Sequence, residues 1–493
     1  MKYKMKTKYL IGIIPLLLAS CTSLDESPKS NQVTDQFYHS GEDAISAINS
    51  VYAALITGYD SQSLYNRGIH LATDLTTDDY TAGPRAKNVN VQALAKLTHD
   101  ASNDRIQLLW QDSYNLINKA NVAIDHILSI PENVISIEVR NKTVNEAKFL
   151  RALAYFNLVR WFKSIPLVLH ETTSLTSQTL NVPQSPEEDV YEQIIKDLKD
   201  AENLPSPKEQ STDELGRATS GSAKTLLAKV YLTRGEWELA VSKAKEVIDV
   251  GWYDLFENFS DVFNPATKNG KEHIFSVQFK GNEGISHNLA AMSEPYEVPG
   301  IGGSHADAYN PSSDLYDLFD SNDLRKNVTF GTKLTSPTDG KEYTLSEIYF
   351  SKYWDQNSLI APRNSSVNIP LLRYAEVLLM YSEAVNELYG PTPEAIRYFD
   401  LLRGRAGIKK IADTSTSLNK DEFRELIFEE RRKEFVFEMK RWFDLSRRGA
   451  DYFIAKNKTA GKDNVQAKHI LLPIPQRELD LNHNLKQNPY WAE

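Results

Sequence analysis

Apolar residues recur with a helical period along most of the chain. Ala44, Ile45, Ile48, Val51, Tyr52 and Leu55 share one face of a predicted helix, and Ile106, Leu109, Trp110, Leu116, Ile117, Val122 and Ile127 continue the pattern. Steps of three and four place such side chains on one side of a 3.6-residue turn. The clearest stretch is 223–240, where alanines let two helices approach, Gly235 supplies the turn, and Tyr231 and Trp237 fill the seam. A second helix pair is predicted over 374–406, with Ala375, Ala384 and Ala395 at the contact and Gly390-Pro391 between the helices. Further pairs fit 103–162 and 186–234. Strand signals are few and short, so the predicted fold class is all-α.

The 223–240 segment is similar to a tetratricopeptide repeat. Repeats of this kind stack and bury a continuous apolar seam, so four such pairs make a rigid scaffold with a face left free. Two long stretches interrupt the period, 57–98 and 251–369, rich in Gly, Asn, Ser, Asp, Pro and aromatic residues. Long loops on a rigid scaffold are where binding sites concentrate. The expected organisation is a leader over 1–20, a flexible tether over 21–36, and a first helical part over 37–250. A second part follows over 251–493, with a large loop insertion (251–369) and helices over 370–450.

The leader has three parts: Lys2, Lys4, Lys6 and Lys8, an apolar run over 9–18, and the ending Leu18-Ala19-Ser20-Cys21. Ten apolar residues are too few to span a bilayer, and the charge-then-apolar-then-small order is that of a secretory signal. A cysteine at the cleavage point resembles the lipobox of bacterial lipoproteins, which implies acylation of Cys21. Several buried acyl chains hold far more firmly than one. Cys21 is also the only cysteine of the chain, so its acylation would leave no thiol for disulfides, cysteine-based zinc sites or thiol catalysis.

Net charge is −10, and −14 once the four leader lysines are removed, which argues against nucleic acid as a partner. No G-x-S-x-G, H-E-x-x-H, P-loop or G-x-G-x-x-G motif occurs. Asp74, Thr76 and Asp78 have the spacing of the first ligands of a calcium loop, but Asp79 stands where the turn glycine belongs and Arg85 where the closing glutamate belongs. Helix capping and loop hydrogen bonds are the plainer expectation, and no metal or cofactor is expected. The run from Arg424 to Glu434 reads as ion pairs within and between helices, with Phe428, Phe435, Phe437, Trp442 and Phe443 as seam residues. The aromatics of the two irregular stretches are Tyr59, Tyr65, Tyr80, Trp252, Tyr253, Tyr296, Tyr309, Tyr343, Tyr349, Tyr353 and Trp354. Singly each fits loop packing; as a group they favour a site where sugar rings stack.

Several segments in order resemble the SusD/RagB family of outer-membrane nutrient-binding lipoproteins. They are Glu146-Ala-Lys-Phe-Leu-Arg-Ala-Leu-Ala-Tyr-Phe-Asn-Leu-Val-Arg160 with Pro166-Leu-Val168, Gly216-Arg-Ala-Thr219, and the run from Ile369 to Ala384. Arg403-Gly-Arg-Ala-Gly407, Glu430-Arg-Arg-Lys-Glu434, Arg441-Trp-Phe-Asp444, Leu471-Leu-Pro-Ile-Pro475 and Asn488-Pro489 follow. The resemblance implies a helical fold on four tetratricopeptide-like units and a non-catalytic role. It implies binding of an oligosaccharide or polysaccharide and docking as a lid on a SusC-like TonB-dependent transporter. Display on the outer face of the outer membrane through lipid on Cys21 is also implied, with Asp25 and Glu26 just behind the anchor. By position in the family it points to Asn66, Arg67, Tyr80, Arg85, Tyr296, His305, Tyr309 and Trp354 as ligand-binding residues. No tryptophan lies between Tyr59 and Thr98, which disfavours a starch-type platform there. Peptide capture, known within the family, and a helical glycan hydrolase or lyase are the alternatives.

Overall fold

Where the apolar period holds, helices form with recognisable start and stop signals. The computed structural model describes residues 37–57, 63–83, 85–174, 176–301, 310–312, 314–361, 364–415 and 417–492. The leader, the tether and Cys21 lie outside the described residues. Helix α1 (Gly41–Ala53) starts at Ser40, whose hydroxyl accepts from the Asp43 backbone N–H at 3.1 Å, one of the donors a helix start leaves unpaired. It buries Ala44, Ala47, Ile48 and Val51, whereas Ile45, expected on the same face, is 41% exposed. Ile45 stands about 100° around the helix from Ala44, past the edge of the buried stripe.

The longest helices, α2 (Asp104–Ser129) and α3 (Ile137–Phe162), pack on each other and begin the stack. Then α4 (Glu187–Ala201) lies on α3, α5 (Ser220–Arg234) on α4, and α6 (Trp237–Asp249) on α5. Next, α7 (Tyr374–Tyr389) lies on α6, with α8 (Pro393–Arg405) and α9 (Lys420–Phe435) against α7. The expected pairs over 186–234 and 223–240 therefore share α5 and are successive steps of one stack. Ala223, Ala228, Ala375, Ala384 and Ala395 are fully buried at these contacts, because a methyl is all the space that close-approaching helices leave. Gly235 ends α5 in the left-handed region at φ 73°, a conformation in which a Cβ would be strained. The chain leaves the stack after α6 and returns at α7, so the irregular 251–369 stretch is an excursion between two touching helices.

That excursion is fastened by short strands and by charge. His273–Val277 pairs antiparallel with Ile369–Arg373, closing its two ends, and Phe330–Thr335 forms a hairpin with Glu342–Phe350. The ion pairs expected of the α9 charge run are present, and they are buried. Arg373 reaches Glu272 at 2.7 Å, Glu434 at 2.8 Å and Glu438 at 2.8 Å, and Arg325 reaches Glu430 at 2.6 Å. Arg405 joins Glu272 and Glu434, and Lys352 joins Glu438 at 2.8 Å. Burial pushes the Glu434 carboxyl up, but Arg405, Arg373 and Arg325 outweigh it and hold it below the usual range. The network ties the loop excursion to α8, α9 and the turn after α9.

The first irregular stretch is tied down in the same way. Asp78 pairs with Arg441 at 2.6 Å and Asp79 with Arg432 at 2.6 Å, while Asp74 meets His70 at 2.7 Å. The acids that share calcium-loop spacing are thus taken up by side-chain partners, and no cluster of metal-ligating residues occurs among the described residues.

Candidate functional site

The two irregular stretches meet on the scaffold through residues more than 200 positions apart in sequence. Asn66 Oδ1 accepts from the Asn288 backbone N–H at 2.8 Å, and Arg67 Nη1 lies 3.7 Å from the Met292 sulfur. The Arg85 guanidinium sits 3.6 Å above the Tyr296 ring centre. Tyr80–Thr81 pairs antiparallel with Asn310–Pro311, and the Ser312 backbone N–H donates to Asp79 O at 2.9 Å. Four of the expected residues, Asn66, Arg67, Arg85 and Tyr296, are therefore brought to one wall.

Tyr296 is 55% exposed. A ring with one face under a guanidinium and much of its surface open is positioned without being enclosed, which leaves an amphipathic platform available. The wall behind it is packed. Trp354 lies against Val298, Ile301, Leu345 and Tyr349, and its six-membered ring is flush with Gly331, where a Cβ would collide with it. Its half-buried position makes it a backing for the 296–301 segment rather than a free platform.

Tyr80 does not belong to the surface. It is 1% exposed, tilted against Phe350 and Phe437, with its hydroxyl 3.4 Å from Asp74 Oδ2. It is a core residue that anchors the loop from below. His305 and Tyr309 lie outside the described residues, as does Tyr59. The wider aromatic group is also mostly packing: Tyr65, Tyr253, Tyr349 and Tyr353 are buried, and Tyr65 accepts from Asn157 Nδ2 at 2.9 Å.

Two residues of the wall carry no signal of period or motif. Glu294 is 2% exposed, and neither carboxyl oxygen has a hydrogen-bond partner among the described residues. Burial, and then the charge of Asp355, push it up to about 8, so it is mostly uncharged at neutral pH. His287 accepts from the Leu289 backbone N–H at 3.3 Å through Nδ1 and donates from Nε2 to Val367 O at 3.1 Å. Only the neutral ring makes both bonds, and burial lowers it to about 4. An acid placed among Ala290, Ala291, Met292 and Ser293 was the one sequence cue for Glu294.

A rigid helical stack presenting a loop-built wall with an exposed ring, amides and guanidinium groups defines a class: a repeat-scaffold protein whose irregular loops form a binding surface. Comparison with known proteins makes this specific. A model described as the SusD family matches residues 324–491, and one described as starch-binding associating with outer membrane matches residues 23–232. SusD-like protein P2 of Formosa agariphila is 32% identical over 517 residues, covering 98% of this chain and 99% of that protein. The chain belongs to the SusD family. A SusD homolog from Bacteroides thetaiotaomicron superposes with a TM-score of 0.80 at 23% identity, over 94% of this chain and 99% of that one. A laminarin-binding SusD-like protein superposes with a TM-score of 0.74 at 25% identity, over 92% and 100% of the two chains. The family resemblance and the mostly helical fold expected from sequence both stand.

Proposed function

We propose that this chain is a cell-surface lipoprotein that captures glycan fragments on the wall formed by Asn66, Arg67, Arg85 and Tyr296. It then passes them to a SusC-like TonB-dependent transporter. The observation that carries the reading is the Arg85–Tyr296 pair, which joins the two irregular stretches and leaves a half-open ring. A sugar's C–H face stacks on such a ring while neighbouring amide and guanidinium groups meet its hydroxyls. Membership of the SusD family and likeness to a laminarin-binding fold relative support a carbohydrate ligand. The lipobox supports anchoring, and the family description places association at the outer membrane. Among the described residues no helix is long and apolar enough to cross a membrane.

Calorimetric titration of the full-length chain in detergent against a panel of oligosaccharides and peptides tests the ligand class. At least one glycan is expected to bind, and Tyr296→Ala is expected to weaken it about tenfold, or ~1.4 kcal/mol. Binding of peptides with no glycan would replace the carbohydrate reading by peptide capture, and shortened glycan products would replace it by catalysis. Cys21→Ser is expected to move the protein out of salt-washed membranes; retention there would reject the lipid anchor.

A further inference from the structure

A second feature lies away from the loop wall, inside the stack. A cavity of about 260 Å³ opens where α3, α4, α5 and α7 face α9 and the short helix Arg441–Ser446. Its lining holds six cationic side chains, Arg160, Lys163, Lys229, Arg431, Lys440 and Arg447, against three carboxylates, Glu187, Glu376 and Asp444. None of Asn66, Arg67, Arg85 and Tyr296 lines it. For a chain of net charge −10, this is a local reversal of sign.

The carboxylates are already shared. Glu376 meets Lys229 at 2.9 Å, Lys440 at 3.0 Å and Arg431 at 3.4 Å. Asp444 meets Arg431 at 3.0 Å and Arg447 at 3.1 Å. Arg447 has one further acid behind it, Glu383. Lys163, 55% exposed at the rim, is 4.0 Å from Glu187. Even with Glu383 counted, cations outnumber carboxylates by two. Arg160 makes the excess concrete: among the described residues it donates only to neutral oxygens, Phe156 O at 2.8 Å and Asn157 Oδ1 at 2.7 Å. Its guanidinium is held between the Phe156 and Phe443 rings at 3.8 and 3.6 Å, so it is fixed in place without a carboxylate.

Burial lowers Arg160 to about 10. Burial also lowers Lys229 well below its ordinary value; the charge of Glu376 opposes the shift, and the charges of Lys440 and Arg160 add to it. Glu376 is held well below its ordinary value: burial pushes it up, and Lys229, Lys440 and Arg431 outweigh burial. Surplus positive charge withdrawn from water is unfavourable until an anion balances it. A planar guanidinium clamped by two rings is well formed to receive an oxyanion.

We propose that this cavity is a binding site for an oxyanion, a carboxylate or sulfate group either free or carried on a single acidic sugar residue, with Arg160, Lys229 and Lys440 as its receiving groups. The inference does not depend on the loop wall, and the two sites are separately testable.

The test is calorimetric titration of the full-length chain in detergent with sodium sulfate, sodium glucuronate and glucose, at matched ionic strength. Heat of binding is the readout, because sulfate raises melting temperatures of most proteins by exclusion from their surfaces. Sulfate or glucuronate is expected to bind at one site and glucose not to bind there. Affinity is expected to fall at least about tenfold in Arg160→Gln, the scale of a lost hydrogen bond to a charged group. Lys163→Glu, at the exposed rim where folding is not at stake, is expected to weaken binding in the same direction and keeps the test intact should Arg160→Gln not fold. Glucuronate binding as tightly as sulfate assigns the site to an acidic sugar, and sulfate alone assigns it to a free or esterified sulfate. Absence of saturable heat with both anions, or equal affinity in wild type and both variants, overturns the proposal.

Discussion

Glu294 sits in an environment at odds with its chemistry. A carboxyl 2% exposed with no hydrogen-bond partner among the described residues is tolerable only while it is protonated. Its value of about 8 in the fold lies above the ordinary 4.5, so between those pH values the folded chain holds a proton that the unfolded chain has released. Stability contributed by this group therefore falls as pH rises from about 5 to about 8. Glu294→Gln keeps the shape and removes the ionisation. In urea titrations it is expected to match wild type at pH 5 and to exceed it by on the order of 4 kcal/mol at pH 9. The same difference at both pH values would sink the idea. Residues like this are where sequence reading stops. Tyr80 and Tyr296 looked alike as loop aromatics, yet one is 1% and the other 55% exposed, because a two-residue strand pairing decides which side of the loop faces inward. Family position points to Asn66, Arg67 and Arg85, and the fold sets them against the second irregular stretch; Glu294 and His287, fixed by neighbours far away in sequence, have no such pointer.

At the scale of elements, the helices were legible because small residues and large seam residues alternate at helical spacing. The buried charges were only half legible. A run such as Glu430-Arg431-Arg432-Lys433-Glu434 has the composition of a solvated face, and nothing local reveals that its partners, Arg325, Arg373 and Arg405, close over it. The distinction is energetic. Removing one partner of a buried network leaves uncompensated charge and costs about 3–5 kcal/mol, whereas an exposed pair contributes about 0–1 kcal/mol. Arg373→Met removes the cation that Glu272, Glu434 and Glu438 share and leaves the buried network short of positive charge, whereas Lys333→Ala breaks only the 57%- and 60%-exposed pair with Glu342. Urea midpoints are expected to fall strongly for the first variant and hardly for the second. Comparable losses would mean that the network does not hold the 251–369 excursion on the stack.

For the whole molecule, opposed titrations set the pH of greatest stability, and their number decides the outcome. Burial lowers His99 to about 3 and His287 and His469 to about 4, against an ordinary 6.5. Below pH 6.5 the unfolded chain gains protons at these positions that the folded chain refuses, so stability falls as pH drops toward 4. Glu294 acts in the other direction over about pH 4.5–8. Asp79, pushed up by burial to about 6, acts the same way. Each such proton corresponds to about 1.4 kcal/mol per pH unit, so three histidines against two carboxyls leave a net loss on the order of 1 kcal/mol per unit as pH falls from 6 to 4.5, with His273, lowered by burial, and Glu146, raised by it, opposing each other. Above 6.5 the histidines are neutral in both states; Glu294 lowers stability as pH rises, while Lys462 and Lys352, lowered by burial to about 7 and about 8, raise it. Below 4.5 the opposition of Glu294 ends, and a second loss begins. Glu376, Glu434, Glu438 and Asp444, pushed up by burial but held below their ordinary values by neighbouring cations, then lose stability as the unfolded chain takes up protons. Unfolding free energies measured in urea across pH 4–9 are therefore expected to fall from 6.5 toward 4 and to change little between 7 and 8, where Glu294 and the buried lysines oppose each other. Glu294→Gln is expected to make stability rise with pH above 7. A profile level between pH 7 and 5 would show that the buried histidines are protonated in the folded protein, and His287 would then lose the Leu289 bond that holds the loop wall.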